Sequence, residues 1–347
     1  MEHRYLGNSG TPISALGLGT MTFGAETHET EAHAQLDKFV EVGGTFIDTA
    51  DVYSQGVSEE IVGRWLGRSG QRDKMILATK ARFSMGDSPL DSGAGRRHLR
   101  RGLHASFRRL GVDEVDLYQV HGWDPHTPLD ETLETLDQFV LSGAVGHVGW
   151  SNVTAWQLQR IADRCEMHGW ARPVTVQPQY NLLDRGIELE LMPMCLEEEI
   201  GILPWSPLGG GWLTGKYSRD VRPTGETRLG EDPNRGVEAY DTRNSERTWN
   251  VLAVMERLAT HRAVSLAQVA LAWVRQRPGV SSVILGARTL DQLENNLASA
   301  DLHLSTEEMT ELTAISAPGI PPYPYGMVRS ACGVRWWDTL GTIEPHR

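Results

Sequence analysis

Val115-Asp116-Leu117-Tyr118-Gln119-Val120-His121 is a short apolar run that closes on a polar residue. Leu129, Leu133, Leu136 and Val140 follow at i, i+4, i+7 and i+11, which is one face of a helix. Thr127-Pro128 reads as N-cap and N1 of that helix, and Ser142-Gly143 as its end. Val145-Gly146-His147-Val148-Gly149 then begins a second run. Strand, helix and strand in this order make one β/α unit.

The same unit recurs in both directions. Leu16-Gly17-Leu18-Gly19, Thr45-Phe46-Ile47-Asp48 and Met75-Ile76-Leu77-Ala78-Thr79 precede it. Val174-Thr175-Val176-Gln177, Gly201-Ile202-Leu203-Pro204-Trp205 and Ser282-Val283-Ile284-Leu285 follow. Their starts lie about 27–40 residues apart, except for a last step of about 80. Trp249, Leu252, Met255 and Leu258 repeat the helical pattern. Strand candidates alternating with helices predict an α/β fold, most simply a (β/α)8 TIM barrel. A doubly wound sheet is the alternative.

A bare barrel needs about 250 residues, and the chain has 347. The excess falls in three segments of a single domain spanning 1–347. Residues 1–15 read as an N-terminal hairpin around Gly7-Asn8-Ser9-Gly10, and 206–245 as a long loop after the seventh strand. Residues 317–347 form a Pro-rich aromatic tail. A barrel's site lies at the C-terminal ends of its strands, so the long loop belongs on that face.

A net charge of −12 argues against nucleic acid or an anionic membrane as partner. No 18-residue apolar run is present, and the first residues lack the apolar core of a signal peptide. Cys165, Cys195 and Cys332 are far apart and form no CxxC pair, so free thiols and a cytoplasmic location are expected. His121, Asp124 and His126 have no third-ligand pattern beside them, and no metal is expected. Gly17-Leu18-Gly19 is not a Rossmann fingerprint, because the next glycine, Gly24, comes too late. Of the 33 basic residues only four are lysines: Lys38, Lys74, Lys80 and Lys216.

Asp48 ends the second barrel strand, with Tyr53 in the loop after it, while Lys80 follows the third and His121 the fourth. In a barrel these neighbours converge on one rim. A tyrosine near pKa 10 is a weak acid at neutral pH, and a nearby ammonium favours its phenolate and lowers that value. A carboxylate can anchor the ammonium, and a histidine can hold a carbonyl oxygen where an alkoxide develops. The set suits proton transfer to a small-molecule carbonyl substrate, with hydride supplied by a cofactor.

Six motifs in order carry a family resemblance. They are Gly43-Gly44-Thr45-Phe46-Ile47-Asp48-Thr49-Ala50-Asp51-Val52-Tyr53, Ala78-Thr79-Lys80, Asp116-Leu117-Tyr118-Gln119-Val120-His121, Gly149-Trp150-Ser151-Asn152, Val176-Gln177-Pro178-Gln179-Tyr180-Asn181, and Trp205-Ser206-Pro207-Leu208-Gly209-Gly210-Gly211-Trp212-Leu213-Thr214-Gly215-Lys216. Over almost its whole length the chain resembles the aldo-keto reductase superfamily, in the branch of bacterial reductases and potassium-channel β-subunits. The resemblance implies a barrel that binds NADPH/NADP+ and an NADP-dependent reductase of aldehydes or ketones. Tyr53 would be its general acid/base, supported by Asp48 and Lys80, with His121 orienting the carbonyl.

By the same resemblance Ser151, Asn152 and Gln177 would hold the nicotinamide carboxamide, and Asp48, Thr20 and Met21 would line the cofactor. Trp205, Ser206, Pro207, Leu208 and Gly210 would run along nicotinamide and pyrophosphate, with Lys216 and Arg228 on phosphate. Gly286, Arg288, Gln292 and Asn296 fall at the adenosine end. Thr289 is also an N-cap, and a helix N-terminus attracts phosphate. Arg288 suits a 2′-phosphate, favouring NADPH over NADH. Gln292 alternatively completes a Thr-x-x-Gln capping box. Asn295 stands where many relatives have Glu. Phe23, Trp123 and Trp212 are expected either to wall the substrate pocket or to be core. Two other functions fit the resemblance: a sugar or natural-product ketoreductase, or a non-catalytic NADPH-sensing subunit. In the latter, the channel β-subunits resemble the family with Asn in place of His121.

Overall fold

Leu16–Gly19 (β3), Phe46–Asp48 (β4), Ile76–Ala81 (β5), Val115–Val120 (β6), Val145–Ser151 (β7), Pro173–Gln177 (β8), Gly201–Ile202 (β9) and Val283–Leu285 (β10) form one parallel sheet, ordered β10-β3-β4-β5-β6-β7-β8-β9. They follow an antiparallel hairpin of β1 (His3–Tyr5) and β2 (Pro12–Ser14). The structure is a computed structural model describing residues 1–225, 227–232 and 236–332. The sheet closes where Ile202 N donates to Gly279 O (2.8 Å), Ser281 N to Ile202 O (2.9 Å) and Ile284 N to Pro204 O (3.0 Å). The chain is therefore a (β/α)8 barrel, as its strand rhythm predicts.

Period-two alternation divides each strand between two cores. Phe46, Ala78, Leu117, Leu203 and Ile284 pack inside the barrel, joined by Leu6 and Ile13 of the hairpin region. The larger cluster lies between barrel and helices; Leu36, Trp65, Leu103, Leu136, Ile161 and Trp273 represent it. The hairpin plugs the N-terminal end. Gly7 takes φ 54°, and a Cβ there would strike Val174 O, so this approach requires glycine. Arg4 Nη1 donates to Arg275 O and Val280 O, both at 2.7 Å, and Arg275 pairs with Glu2 at 2.8 Å.

Two local readings shift. The helix after β6 spans Leu129–Leu141 with Pro128 itself as N-cap. Thr127 instead donates to Asp124 Oδ2 at 2.7 Å, which keeps it outside the helix. Residues 206–245 are not featureless: short helical turns occur at Gly209–Thr214, Arg228–Glu231, Gly236–Glu238 and Tyr240–Arg243. The described part of the tail ends in helix Met327–Cys332, and Tyr325 Oη donates to Glu190 Oε1 at 2.7 Å. Trp336 and Trp337 lie outside the described residues.

Candidate active site

Asp48 is the last residue of β4, and Lys80 and Gln119 stand side by side in the β5–β6 register. All three project into the barrel at its C-terminal end. Lys80 is fully buried, and its ammonium donates to Asp48 Oδ2 (2.6 Å), Thr49 O (2.9 Å) and Tyr53 Oη (3.2 Å). An ammonium has three protons, so every donor is used. Asp48 Oδ1 accepts from Gln119 Nε2 (3.1 Å) and Gln177 Nε2 (2.8 Å), so one carboxylate ties β4, β5, β6 and β8 together.

Tyr53 reaches this layer because the loop after β4 folds over the end of β5. Thr49 N donates to Ala78 O (2.9 Å) and Asp51 N to Lys80 O (3.0 Å). His121 N donates to Ala81 O at 3.0 Å, placing its ring 5.8 Å from that of Tyr53, edge to face. The His121 Nδ1 is buried without a hydrogen-bond partner among the described residues. The structure thus brings Asp48, Tyr53, Lys80 and His121 together.

The electrostatics differ from expectation at Tyr53. Burial raises its pKa above the ordinary tyrosine value, and Lys80 pulls it down by less than burial, Asp48 and Asp51 push it up. The phenol is therefore protonated at neutral pH. Burial opposes the charge of Lys80, but Asp48 and Tyr53 outweigh it and raise its pKa. Burial, joined by Lys80 and Arg82, takes His121 well below the ordinary histidine range, leaving a neutral imidazole.

A second group lies beside the first. Asn152, at φ 54°, donates through Nδ2 to His121 O (3.0 Å) and accepts at Oδ1 from Trp205 Nε1 (3.1 Å). Ser151 Oγ donates to Gln177 O at 2.8 Å. Thr20 is buried against Ser58 (2.8 Å), while Met21 is exposed on the rim. Ser206 Oγ accepts from Gly210 N (3.2 Å) and donates to Glu238. Pro207 is buried, and Leu208 O accepts from Gly211 N (3.0 Å) and Leu213 N (3.2 Å). Gly209, Gly210 and Gly211 all have positive φ, and a Cβ on Gly210 would strike Glu238. Lys216 Nζ lies 5.3 Å over the Tyr217 ring.

The adenosine-end residues form a third group. Arg288 makes a bidentate pair with Glu231 (2.9 Å to each oxygen) and a longer contact to Glu26 (3.4 Å). Thr289 caps helix Leu290–Leu297, accepting from Gln292 N at 3.3 Å, and Leu290 N donates to Glu31. Gln292 Oε1 accepts from Arg288 N (3.0 Å), one residue beyond a regular capping box. Exposed Gly286 leaves open space where a Cβ would be. Acidic side chains already accept from Ser206, Arg288 and the Leu290 amide. These donors suit anionic oxygen, and phosphate fits the same set.

Several expectations are corrected by burial. Phe23 and Trp212 are completely buried, offer a substrate no surface, and belong to the core. Trp212 Nε1 donates to Glu238 O (3.0 Å) and its ring packs against Tyr217, Tyr240 and Trp249. Asn296 is buried, its amide directed to Gly286 O at 3.4 Å, which makes it a loop strut. Asn295 accepts from Gln268 at 3.1 Å. Trp123 stays on the rim, half-buried beside Trp150 and Trp156. The side chain of Arg228 lies outside the described residues. Gln119 and Phe83, whose ring packs 4.7 Å from His121, were missed. Alternation along β6 signals Gln119: it shares the inward face with Leu117.

The described residues contain no metal-ligating cluster of three or more His, Cys, Asp or Glu, and no helix long and apolar enough to cross a membrane. The aldo/keto reductase family model matches residues 15–317. The chain is 35% identical to Protein tas of Escherichia coli K12, over 93% of this chain and 100% of that protein. It is 34% identical to a probable voltage-gated potassium channel subunit beta of Arabidopsis thaliana (87% of this chain, 92% of that one). It is 33% identical to L-glyceraldehyde 3-phosphate reductase of Escherichia coli O157:H7 (92% and 93%). The extent of these matches, on a barrel whose rim gathers Asp48, Tyr53, Lys80 and His121, establishes the chain as an oxidoreductase of the aldo/keto reductase family.

Proposed function

We propose that the protein is a cytoplasmic, NADPH-dependent reductase of small aldehydes or ketones, with Tyr53 as general acid. The observation that carries this reading is the fully engaged ammonium of Lys80, held by Asp48 and Thr49 with its third proton on Tyr53 Oη. NADPH, when bound, supplies the hydride. Trp205, Asn152 and Ser151 would lie along the nicotinamide, Ser206 and Lys216 along the pyrophosphate, and Arg288 at the 2′-phosphate.

The proton chemistry belongs to the chain. Neutral His121 donates one N–H to the substrate oxygen and so fixes it beside Tyr53. The alkoxide left by hydride transfer is a much stronger base than an ordinary phenolate. The raised pKa keeps the proton on Tyr53 at neutral pH, where it is available to that alkoxide. Lys80 then stabilises the phenolate left behind.

The direct test follows NADPH absorbance with a panel of aldehydes and ketones. Turnover of at least one carbonyl is expected. Tight NADPH binding with no turnover of any would move the reading to a coenzyme-sensing subunit, the role suggested by the channel-subunit relatives.

Coenzyme choice is tested separately. Arg288→Ala is expected to weaken NADPH binding about 10-fold, since a charge-assisted pair to phosphate is lost, partly offset because the variant has no Glu231 pair to break. Fluorescence titration should show a much smaller change for NADH. Equal losses for both coenzymes would remove Arg288 from the 2′-phosphate site.

A further inference from the structure

Arg82 follows directly on β5, two residues beyond Lys80. Its φ is 141°, a region open to glycine that other residues enter only under strain. The backbone is held there by Gly93 N, which donates to Arg82 O at 2.8 Å, and by the bond from His121 N to Ala81 O. Strain of this kind concentrates at functional sites, where surrounding contacts enforce it.

The side chain is placed as tightly. Nη2 donates to Trp123 O at 2.9 Å, and Cζ lies 5.2 Å from the centre of the Phe83 ring. Phe83 in turn packs 4.7 Å from His121, so the guanidinium is one ring away from the imidazole. Nε is buried with no hydrogen-bond partner among the described residues. Asp124 is close enough to feel the charge, but its oxygens accept from Ala94 N (2.7 Å), His126 N (3.0 Å) and Thr127 Oγ1 (2.7 Å). Among the described residues Arg82 has a neutral carbonyl as its hydrogen-bond acceptor and no ion pair.

A single bond to Trp123 O does not need a guanidinium. A planar fork with donors to spare fits a carboxylate or phosphate, which it grips with two parallel bonds. The chain carries a net charge of −12, so its overall field opposes an anionic substrate. A cation fixed at the rim is the local remedy.

We propose that Arg82 is a specificity residue that binds the carboxylate or phosphate of an anionic carbonyl substrate whose carbonyl oxygen sits between His121 and Tyr53. This rests on the reading of Tyr53 and His121 given above. The test compares the wild type with Arg82→Gly and Arg82→Lys. Glycine adopts φ 141° without strain, so the first variant is expected to fold at least as well. Each protein is assayed for kcat/KM on para-carboxybenzaldehyde against its methyl ester, and on a phosphorylated aldose against the unphosphorylated sugar. At least one charged-to-neutral ratio should fall about 20-fold or more in Arg82→Gly, with partial retention in Arg82→Lys. The pair that responds identifies the anion, and unchanged ratios in both pairs overturn the proposal.

Calorimetric titration with benzoate in saturating NADP+ needs no turnover and separates this proposal from the reductase reading. Binding to the wild type that is lost in Arg82→Gly supports it. Equal binding to both, or none to the wild type, counts against a carboxylate site at Arg82 whatever the assay shows. Failure of every carbonyl, charged and neutral alike, would instead bear on the reductase reading.

Discussion

Tyr53→Phe lowers kcat for carbonyl reduction by about 10²–10⁴-fold, the range expected when a positioned general acid is removed. The substitution deletes one oxygen and little else. The ring keeps its edge contact with His121, and Lys80 keeps Asp48 and Thr49 O as acceptors. Its third proton loses its partner, a modest cost beside the loss of the acid. Circular dichroism melting should therefore stay close to wild type while single-turnover NADPH oxidation slows. A variant that reduces the same aldehyde at the wild-type rate would falsify the assignment of Tyr53.

Asp51→Asn has the largest expected effect on stability. The Asp51 carboxyl is fully buried, and neither oxygen has a hydrogen bond of good geometry among the described residues, the Val52 amide being a polar contact. Burial pushes its pKa up to about 7, Glu59 adds to this, and Arg109 and Lys80 pull against it. In the unfolded chain it ionises near 3.9. The folded state therefore holds a proton that the unfolded state has lost, and stability falls as pH rises between these values, levelling off above about 7. From pH 5 to pH 8 the wild type should lose about 3 kcal/mol relative to Asp51→Asn, which cannot ionise. Urea midpoints of both proteins at the two pH values measure it. Parallel changes would show that Asp51 does not hold that proton. Because the Asp51 charge also raises the pKa of Tyr53, the same variant should shift the alkaline limb of the rate profile toward lower pH.

What could be read in the sequence followed from periodicity. Asp48, Lys80 and His121 were legible because each closes an apolar run, and a barrel places the ends of consecutive runs side by side. Burial was not legible. Phe23, Trp123 and Trp212 are all large aromatics in loops, yet two are core and one lies on the rim, which residue type alone does not decide. The direction of the Tyr53 shift was misread for the same reason: the Lys80 charge is visible in the sequence, but the desolvation that outweighs it is not. Arg82 carried no signal, since its unusual φ exists only once β5 and the loop toward Gly93 are in place.

The N-terminal plug has a consequence for the order of folding. Residues 2 and 4 bind residues 275 and 280, and the seam they cover is made by a two-residue strand and the segment leading into β10. A nascent chain emerges N-terminus first. The hairpin meets Thr45 early through Ser14, but its bonds to the seam must wait until most of the chain has been synthesised. Contacts of such sequence separation form slowly. The seam should therefore be the last part of the barrel to gain protection in pulsed hydrogen exchange, and the first to lose it.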